Sequence, residues 1–231
     1  MTLCDRCGEA LDMEGVRFAG QFPAEGLLCS LCRMAPPEFE RAVAYAVYED
    51  EVREMVHLLK YERMSIVAQP LGIMLARAVE MLEFAPGTEL LVIAVPLFPS
   101  KERQRGYNQA VLLSDAALAE LKKTRPEWKL QTAHNVIRRV KDTRSQFELT
   151  PKGRRRNLQG AFAIADGSML IGREVLLVDD IYTTGATARA CSRILRAAGA
   201  RRIWVATASR AQPEMVDLWD ASSNTAVWDA G

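Results

Sequence analysis

At 231 residues, with 49% hydrophobic and 26% charged side chains, the chain is long enough for one α/β domain plus a small appendage. A net charge of +1 excludes a general polycation built for nucleic acid, and no run approaches the roughly 18 apolar residues of a membrane span. The opening Met1-Thr2-Leu3-Cys4-Asp5 has neither a basic nor an apolar stretch of the secretory kind, so a cytoplasmic location is expected.

The first element is a metal module. Cys4-x-x-Cys7 and Cys29-x-x-Cys32 stand 21 residues apart, a spacing that offers four thiolates to one tetrahedral ion, most commonly Zn²⁺. Gly8 follows the first pair, where a knuckle needs a permissive backbone. Two disulfides are the rival pairing, which a reducing compartment disfavours. A closed four-cysteine site keeps no open coordination position, so its expected role is structural. The fifth cysteine, Cys191, falls in a helical pattern and reads as a small buried side chain.

Pro36-Pro37 predicts a boundary, giving a zinc ribbon over 1–35, an α/β domain over 38–210 and a C-terminal tail over 211–231. Beyond the prolines, Ala42–Tyr48 reads as a strand, and Glu51–Tyr61 carries Val52, Met55, Val56 and Leu59 at helical spacing. A second helix is predicted from about Ser65 to Phe84. Leu90–Val95 is a continuous apolar run, as in a strand covered on both faces. A loop over Leu97–Arg105 and a helix over Asn108–Lys122 follow; Val136-Ile137 suggests a short strand. Thr150-Pro151 is a helix-start signature. Val175–Val178 and Ile203–Ala208 complete the buried strands, with a helix from Ala186 to Ala198 and Gly199 beyond it. Alternating strands and helices predict a doubly wound parallel sheet. In the tail, Trp219 and Trp228 offer surface for packing on the domain or on a partner.

The chemistry concentrates in Val175-Leu176-Leu177-Val178-Asp179-Asp180-Ile181-Tyr182-Thr183-Thr184-Gly185-Ala186-Thr187. Here a central strand runs into two carboxylates at its carboxyl end, where open α/β sheets bind ligands. Hydroxyls and a glycine then open a helix, whose unpaired N–H groups and positive dipole end suit a phosphate. Carboxylates beside a phosphate repel it unless they face a polyol, whose hydroxyls donate to them. A phosphorylated ribose satisfies both halves; solvated capping acids are the plain alternative.

This turn resembles the signature of type I phosphoribosyltransferases: apolar residues, two acids, a spacer and Thr-Gly-x-Thr. The resemblance implies that Asp179 and Asp180 hold the ribose 2′ and 3′ hydroxyls. It also implies that Thr183, Thr184, Gly185, Ala186 and Thr187 wrap the 5-phosphate of 5-phosphoribosyl-1-pyrophosphate. Purine-salvage members carry an acid at the position of Thr183, so a purine acceptor is not implied. Val95-Pro96-Leu97, Arg103-Gln104-Arg105-Gly106-Tyr107-Asn108-Gln109, Lys60-Tyr61 and the spacing of Arg138, Thr143, Gln146, Leu149, Arg154, Asn157 and Phe162 are similar to ComF-like proteins. An N-terminal two-CxxC ribbon is also typical of that competence-associated family.

The resemblance implies phosphoribosyl transfer to an unspecified acceptor, with Mg²⁺ accompanying the substrate and Zn²⁺ structural. Lys101, Arg103 and Arg105 become candidates for the pyrophosphate, and Arg138 and Arg154 for a hood closing over the site. Between Asn135 and Gly160 there are eight basic residues against two acidic, which suits either that hood or a solvated loop. A second reading is a non-catalytic module handling single-stranded DNA beside a helicase, with the pocket as a sensor. Nearby aromatic residues for base stacking are sparse: Phe147 and Phe162. His57 and His134 read as surface or packing residues, so no general base is assigned.

Overall fold

The computed structural model describes residues 2–11, 26–142 and 158–211. Thr150-Pro151, Arg154, Phe147, Trp219 and Trp228 lie outside them. The chain begins with a small antiparallel ribbon, β1 (Thr2–Leu3) and β2 (Ala10–Leu11), and a short helix α1 (Ser30–Met34). The α/β part then runs β3 (Arg41–Val47), α2 (Asp50–Tyr61), α3 (Ala68–Glu80), β4 (Glu89–Ala94), α4 (Pro99–Arg105), α5 (Gln109–Thr124) and β5 (Lys129–Thr132). It continues through β6 (Ile137–Arg139), β7 (Phe162–Ile164), β8 (Glu174–Tyr182), α6 (Ala186–Ala197) and β9 (Arg202–Arg210).

Five strands form one parallel sheet in the order β3-β9-β8-β4-β5, so the doubly wound class predicted from the pattern is the class observed. Strand alternation explains the two layers. Leu90, Val92, Leu176 and Val178 point to the face covered by α2, α3 and α5, where Leu59, Leu71, Leu75, Leu113 and Leu121 are fully buried. Leu91, Ile93, Val175 and Leu177 point to the opposite face, covered by α6 and by the four-cysteine unit. The cysteines thus share a core with the sheet. On the first face α3 and α5 approach so closely at Gly72 that a Cβ there would lie 2.3 Å from the Ala116 Cβ.

Three expectations need correcting. The helix predicted to Phe84 ends at Glu80, because Glu83 turns left-handed (φ 52°) and swings Phe84 edge-on to Trp128 and Trp204, at 5.5 and 5.3 Å. Leu97–Arg105 is not all loop: α4 starts on Pro99 and stops at Gly106, whose φ of 90° suits a helix end. The run Val175–Val178 extends to Tyr182, since the ladder to β9 continues through Asp179↔Thr207 and Ile181↔Ser209 to Tyr182↔Arg210.

On its other side β8 parts from β4 after Ala94↔Val178. From β4 the chain goes outward to β5, and from β8 it goes the other way to β9. The gap at the carboxyl ends of β4 and β8 is therefore the topological switch point, the crevice in which such sheets bind ligands.

Candidate phosphate and ribose site

Asp179 and Asp180 stand side by side toward the carboxyl end of β8, Asp179 lining the cleft before α6 and Asp180 turned to α2, and their surroundings differ. Asp180 is 3% exposed, and its Oδ2 lies 2.5 Å from the Lys60 ammonium on α2. Burial acts to raise the Asp180 carboxyl, but the adjoining Lys60 charge outweighs it and holds the group below the usual aspartate value. The same pairing keeps Lys60 above its ordinary value despite its burial. For Asp179, burial and the charge of Asp180 act together and push the carboxyl well above the usual range. The Asp180 N–H donates to Asp179 Oδ1 at 2.9 Å, which fixes the carboxylate plane.

Past the acids the chain tightens into the helix α6. Gly185 takes φ 69°, a left-handed conformation that side chains other than glycine adopt at a cost. Its missing Cβ matters a second time: one built there would sit 2.2 Å from the Tyr182 hydroxyl. The Thr184 Oγ1 is buried without a partner among the described residues. A small cleft of ≈ 20 Å³ lies here, lined among others by Val95, Asp179, Thr183, Gly185, Ala186 and Thr187. The helix N-terminus, Thr183 and Thr187 border this space beside Asp179, an arrangement able to hold an anion on one side and hydroxyl donors on the other.

The four cysteines converge as their spacing requires. All four sulfurs lie within 4.8 Å of one another, and Cys7 Sγ to Cys29 Sγ is 3.7 Å. A tetrahedron with metal–sulfur bonds of about 2.3 Å has edges of about 3.8 Å, so the donor set fits one zinc ion. Backbone N–H groups already point at the sulfurs, Cys29 N to Cys4 Sγ at 3.3 Å and Cys32 N to Cys29 Sγ at 3.4 Å. Gly8 takes φ 74°, as a knuckle glycine does.

No protein-family model matches the chain. It is 31% identical over 209 residues to the DNA utilization protein YhgH of Salmonella typhimurium, covering 89% of this chain and 82% of that one. It is 30% identical over 211 residues to the Competence protein F of Haemophilus influenzae, covering 90% and 84%. The chain belongs to the ComF-like family. Among solved structures, a hypoxanthine phosphoribosyltransferase from Staphylococcus aureus is similar over 62% of this chain and 61% of its own, at 14% identity and a TM-score of 0.35.

The ComF-like chain has the doubly wound parallel sheet expected of it, whose central strand β8 carries the two acids toward its carboxyl end. Two segments that carried the resemblance meet in space. Tyr107 donates its hydroxyl to the Leu59 carbonyl at 2.6 Å, and Arg63 donates to Gln104 at 2.6 Å. Arg105 lies 6.0 Å from the Tyr61 ring, and its charge helps to hold Asp180 low. These contacts anchor the end of α2 and so aim Lys60.

The other predicted cations of the ComF-like chain are spread out. Lys101 faces Asp142 at 3.8 Å, and Arg103 is exposed on α4. Arg138 is exposed on β6, while its neighbour Arg139 points inward over the Phe162 ring at 5.4 Å, where the Asp179 charge reaches it. His134 accepts the Ala94 N–H on Nδ1 at 3.0 Å, a packing role at the end of β4. His57 is exposed beside Tyr61. Lys60 and Arg139 are the residues that reasoning from the residues alone missed. Lys60 belongs to a segment that carries the resemblance, and nothing local marks it as the partner of Asp180. The period-2 alternation of β6 was the signal that could have separated Arg139 from Arg138.

Among the described residues no helix is long and apolar enough to cross a membrane.

Proposed function

We propose that this chain binds 5-phosphoribosyl-1-pyrophosphate in the crevice between β4 and β8 and transfers its phosphoribosyl group to an acceptor. Asp179 and Asp180 accept hydrogen bonds from the ribose 2′ and 3′ hydroxyls, and the amides and hydroxyls of Thr183, Thr184, Gly185, Ala186 and Thr187 take the 5-phosphate. The observation that carries the reading is the 2.5 Å ion pair between Lys60 and Asp180 at the end of β8, beside the glycine-opened start of α6. Two bare carboxylates would repel a polyanion, but the Lys60 ammonium offsets the charge of Asp180. The pair therefore keeps its acceptors with one of its two charges offset, as suits a sugar carrying three phosphoryl groups.

The same arrangement suits Mg²⁺ brought by the substrate. Lys60 occupies Asp180, leaving Asp179 open to a hydrated cation, and Mg²⁺ favours substrate phosphates with one or two carboxylates. When bound, it supplies charge neutralisation for the departing pyrophosphate. The residues bind and orient: Lys60 fixes Asp180, Gly185 lets the backbone approach the phosphate, and Arg105 adds positive charge on the same side. Arg139 faces the opposite acid. Lys101, Arg103, Arg138 and Arg154 remain part of the proposal as pyrophosphate and hood residues. The 1–35, 38–210 and 211–231 divisions stand in the same way. With Thr183 at the position of the purine-salvage acid, the proposal does not include a purine acceptor.

The names of the relatives, a DNA utilization protein and a competence protein, support placing this chemistry in DNA uptake or use. The exposed Arg138 favours the second reading, in which the chain contacts single-stranded DNA or a helicase and the pocket acts as a sensor. Thermal shift and pyrophosphate release, measured with phosphoribosyl pyrophosphate and Mg²⁺, test the first reading. Wild type is stabilised and Asp179→Asn/Asp180→Asn is not; a wild type that the ligand leaves unshifted ends the proposal. Oligonucleotide titration at several salt concentrations tests the second, and no binding at low salt removes it.

A further inference from the structure

Two arginines reach from the phosphate turn into the four-cysteine unit. Arg210 ends β9 directly opposite Tyr182 at the end of β8. Its guanidinium lies over the Tyr182 ring, 4.1 Å from the centroid, and donates to the Cys7 carbonyl. Tyr182 is 5% exposed, and its hydroxyl occupies the space where a Cβ of Gly185 would be. Metal knuckle, Arg210, Tyr182 and Gly185 are thus one continuous stack.

The second link enters from the helix side. Arg189 lies in the first turn of α6, its backbone N–H bonded to the Gly185 carbonyl at 2.9 Å. Its guanidinium donates to the Ala35 carbonyl at 2.5 Å and to Cys32 Sγ at 3.3 Å. The approach is close on the other side as well. A Cβ at Gly8 would lie 3.0 Å from Arg210 Nη2 and 3.1 Å from the Ala42 carbonyl.

Charge gives these links a dependence on metal. Four thiolates around a divalent ion carry a net −2, which two guanidinium groups complement. Without an ion the two knuckles are no longer tied to one centre, so the Cys7 and Ala35 carbonyls and the Cys32 sulfur lose their fixed places. The hold on both arginines is therefore firm with metal and loose without it.

We propose that Arg189 and Arg210 are positioning residues through which metal in the four-cysteine unit sets the conformation of the turn Thr183–Thr187. The ligand half of this inference rests on the phosphoribosyl reading above; the coupling between metal and turn does not. Because coupling is reciprocal, whatever factor the metal adds to phosphate affinity the phosphate ligand adds to metal affinity.

The test uses the full chain, zinc-loaded and chelator-stripped. Hydrogen exchange at the amides of Thr183–Thr187 reads the coupling without any ligand, with β4 and β5 as internal controls. Stripping zinc accelerates exchange in the turn by about tenfold or more and leaves β4 and β5 unchanged, as expected for local opening. Calorimetry shows phosphoribosyl pyrophosphate binding about tenfold more weakly to the stripped chain, and a competing chelating dye shows zinc held about tenfold more tightly with that ligand present. Arg189→Met/Arg210→Met still takes up one zinc, but its turn exchanges fast whether or not zinc is bound. Tyr182→Phe keeps the ring under Arg210 and removes only the hydroxyl; it gives a smaller acceleration and covers the case of a misfolded double variant. Equal exchange in the turn with and without zinc, or a zinc dependence that survives in the arginine variant, overturns the proposal. Zinc-dependent exchange with no phosphoribosyl pyrophosphate binding upholds the coupling and overturns the ligand reading.

Discussion

Lys60→Met tests the electrostatics of the site, because it removes one charge while nearly preserving volume. The Lys60 and Asp180 side chains are 14% and 5% exposed, and their charged atoms are 2.5 Å apart. Removing one partner of a buried ion pair costs about 3–5 kcal/mol, since the other charge is stranded. Protonation sets a ceiling on that cost. Starting from an ordinary aspartate, neutralising Asp180 requires about 4 kcal/mol at pH 7 and about 1.5 kcal/mol at pH 5. The expected loss is therefore about 3–4 kcal/mol at pH 7 and no more than about 1.5 kcal/mol at pH 5. The sign follows from linkage. In the parent, Lys60 holds Asp180 below its unfolded value, so the stabilisation is present above that value and lost as pH falls through the folded one. Urea unfolding of the parent, Lys60→Met, Asp180→Asn and the double variant at both pH values closes a thermodynamic cycle. The double variant recovers most of the loss. A loss under about 1 kcal/mol at pH 7, or one of equal size at pH 5, would refute the reasoning, because it would describe a solvent-screened surface pair.

Gly185→Ala is expected to destabilise by about 2–3 kcal/mol, combining left-handed strain with the Tyr182 clash, and to abolish phosphoribosyl pyrophosphate binding in calorimetry. Gly87→Ala is its control: φ is 78° but nothing lies within 4 Å, so urea unfolding shows only the strain, about 1 kcal/mol. Gly72→Ala pries α3 from α5 and is expected to cost about 1–3 kcal/mol in urea without altering ligand affinity in the folded protein. Asp179→Asn tests the raised carboxyl. A folded value above the unfolded one means that stability is lost as pH rises through this range, so Asn is more stable than Asp at pH 8 and about equal near pH 4. A gain of about 1 kcal/mol corresponds to a Tm higher by about 2–4 °C at pH 8; the same gap at both pH values contradicts the shift.

How much was legible depends on how local each signal was. The buried strands read directly, since Leu90–Val95 and Val175–Val178 are apolar on both faces. The edge strand β5, Lys-Leu-Gln-Thr, was missed because one apolar residue among three polar ones carries no period. The end of α3 was missed because Leu82 and Phe84 continue a helical stripe, while the chain leaves the helix to bring Phe84 to Trp128 and Trp204.

By itself, then, the sequence determined the α/β class, the convergence of Cys4, Cys7, Cys29 and Cys32, and the strand-to-helix turn from Asp179 to Thr187. Each rests on residues whose spacing along the chain dictates their geometry. Only the tertiary structure decided which charges attend the turn. Lys60 comes to Asp180 from α2, and Arg189 and Arg210 come to Cys32 and Cys7 across 157 and 203 positions. Parallel strands need long crossovers, so the neighbours of a strand end are drawn from distant parts of the chain. No local pattern marks which cation will arrive. The same physics that makes the acidic turn easy to find leaves its charge state, and its link to the metal unit, to the fold.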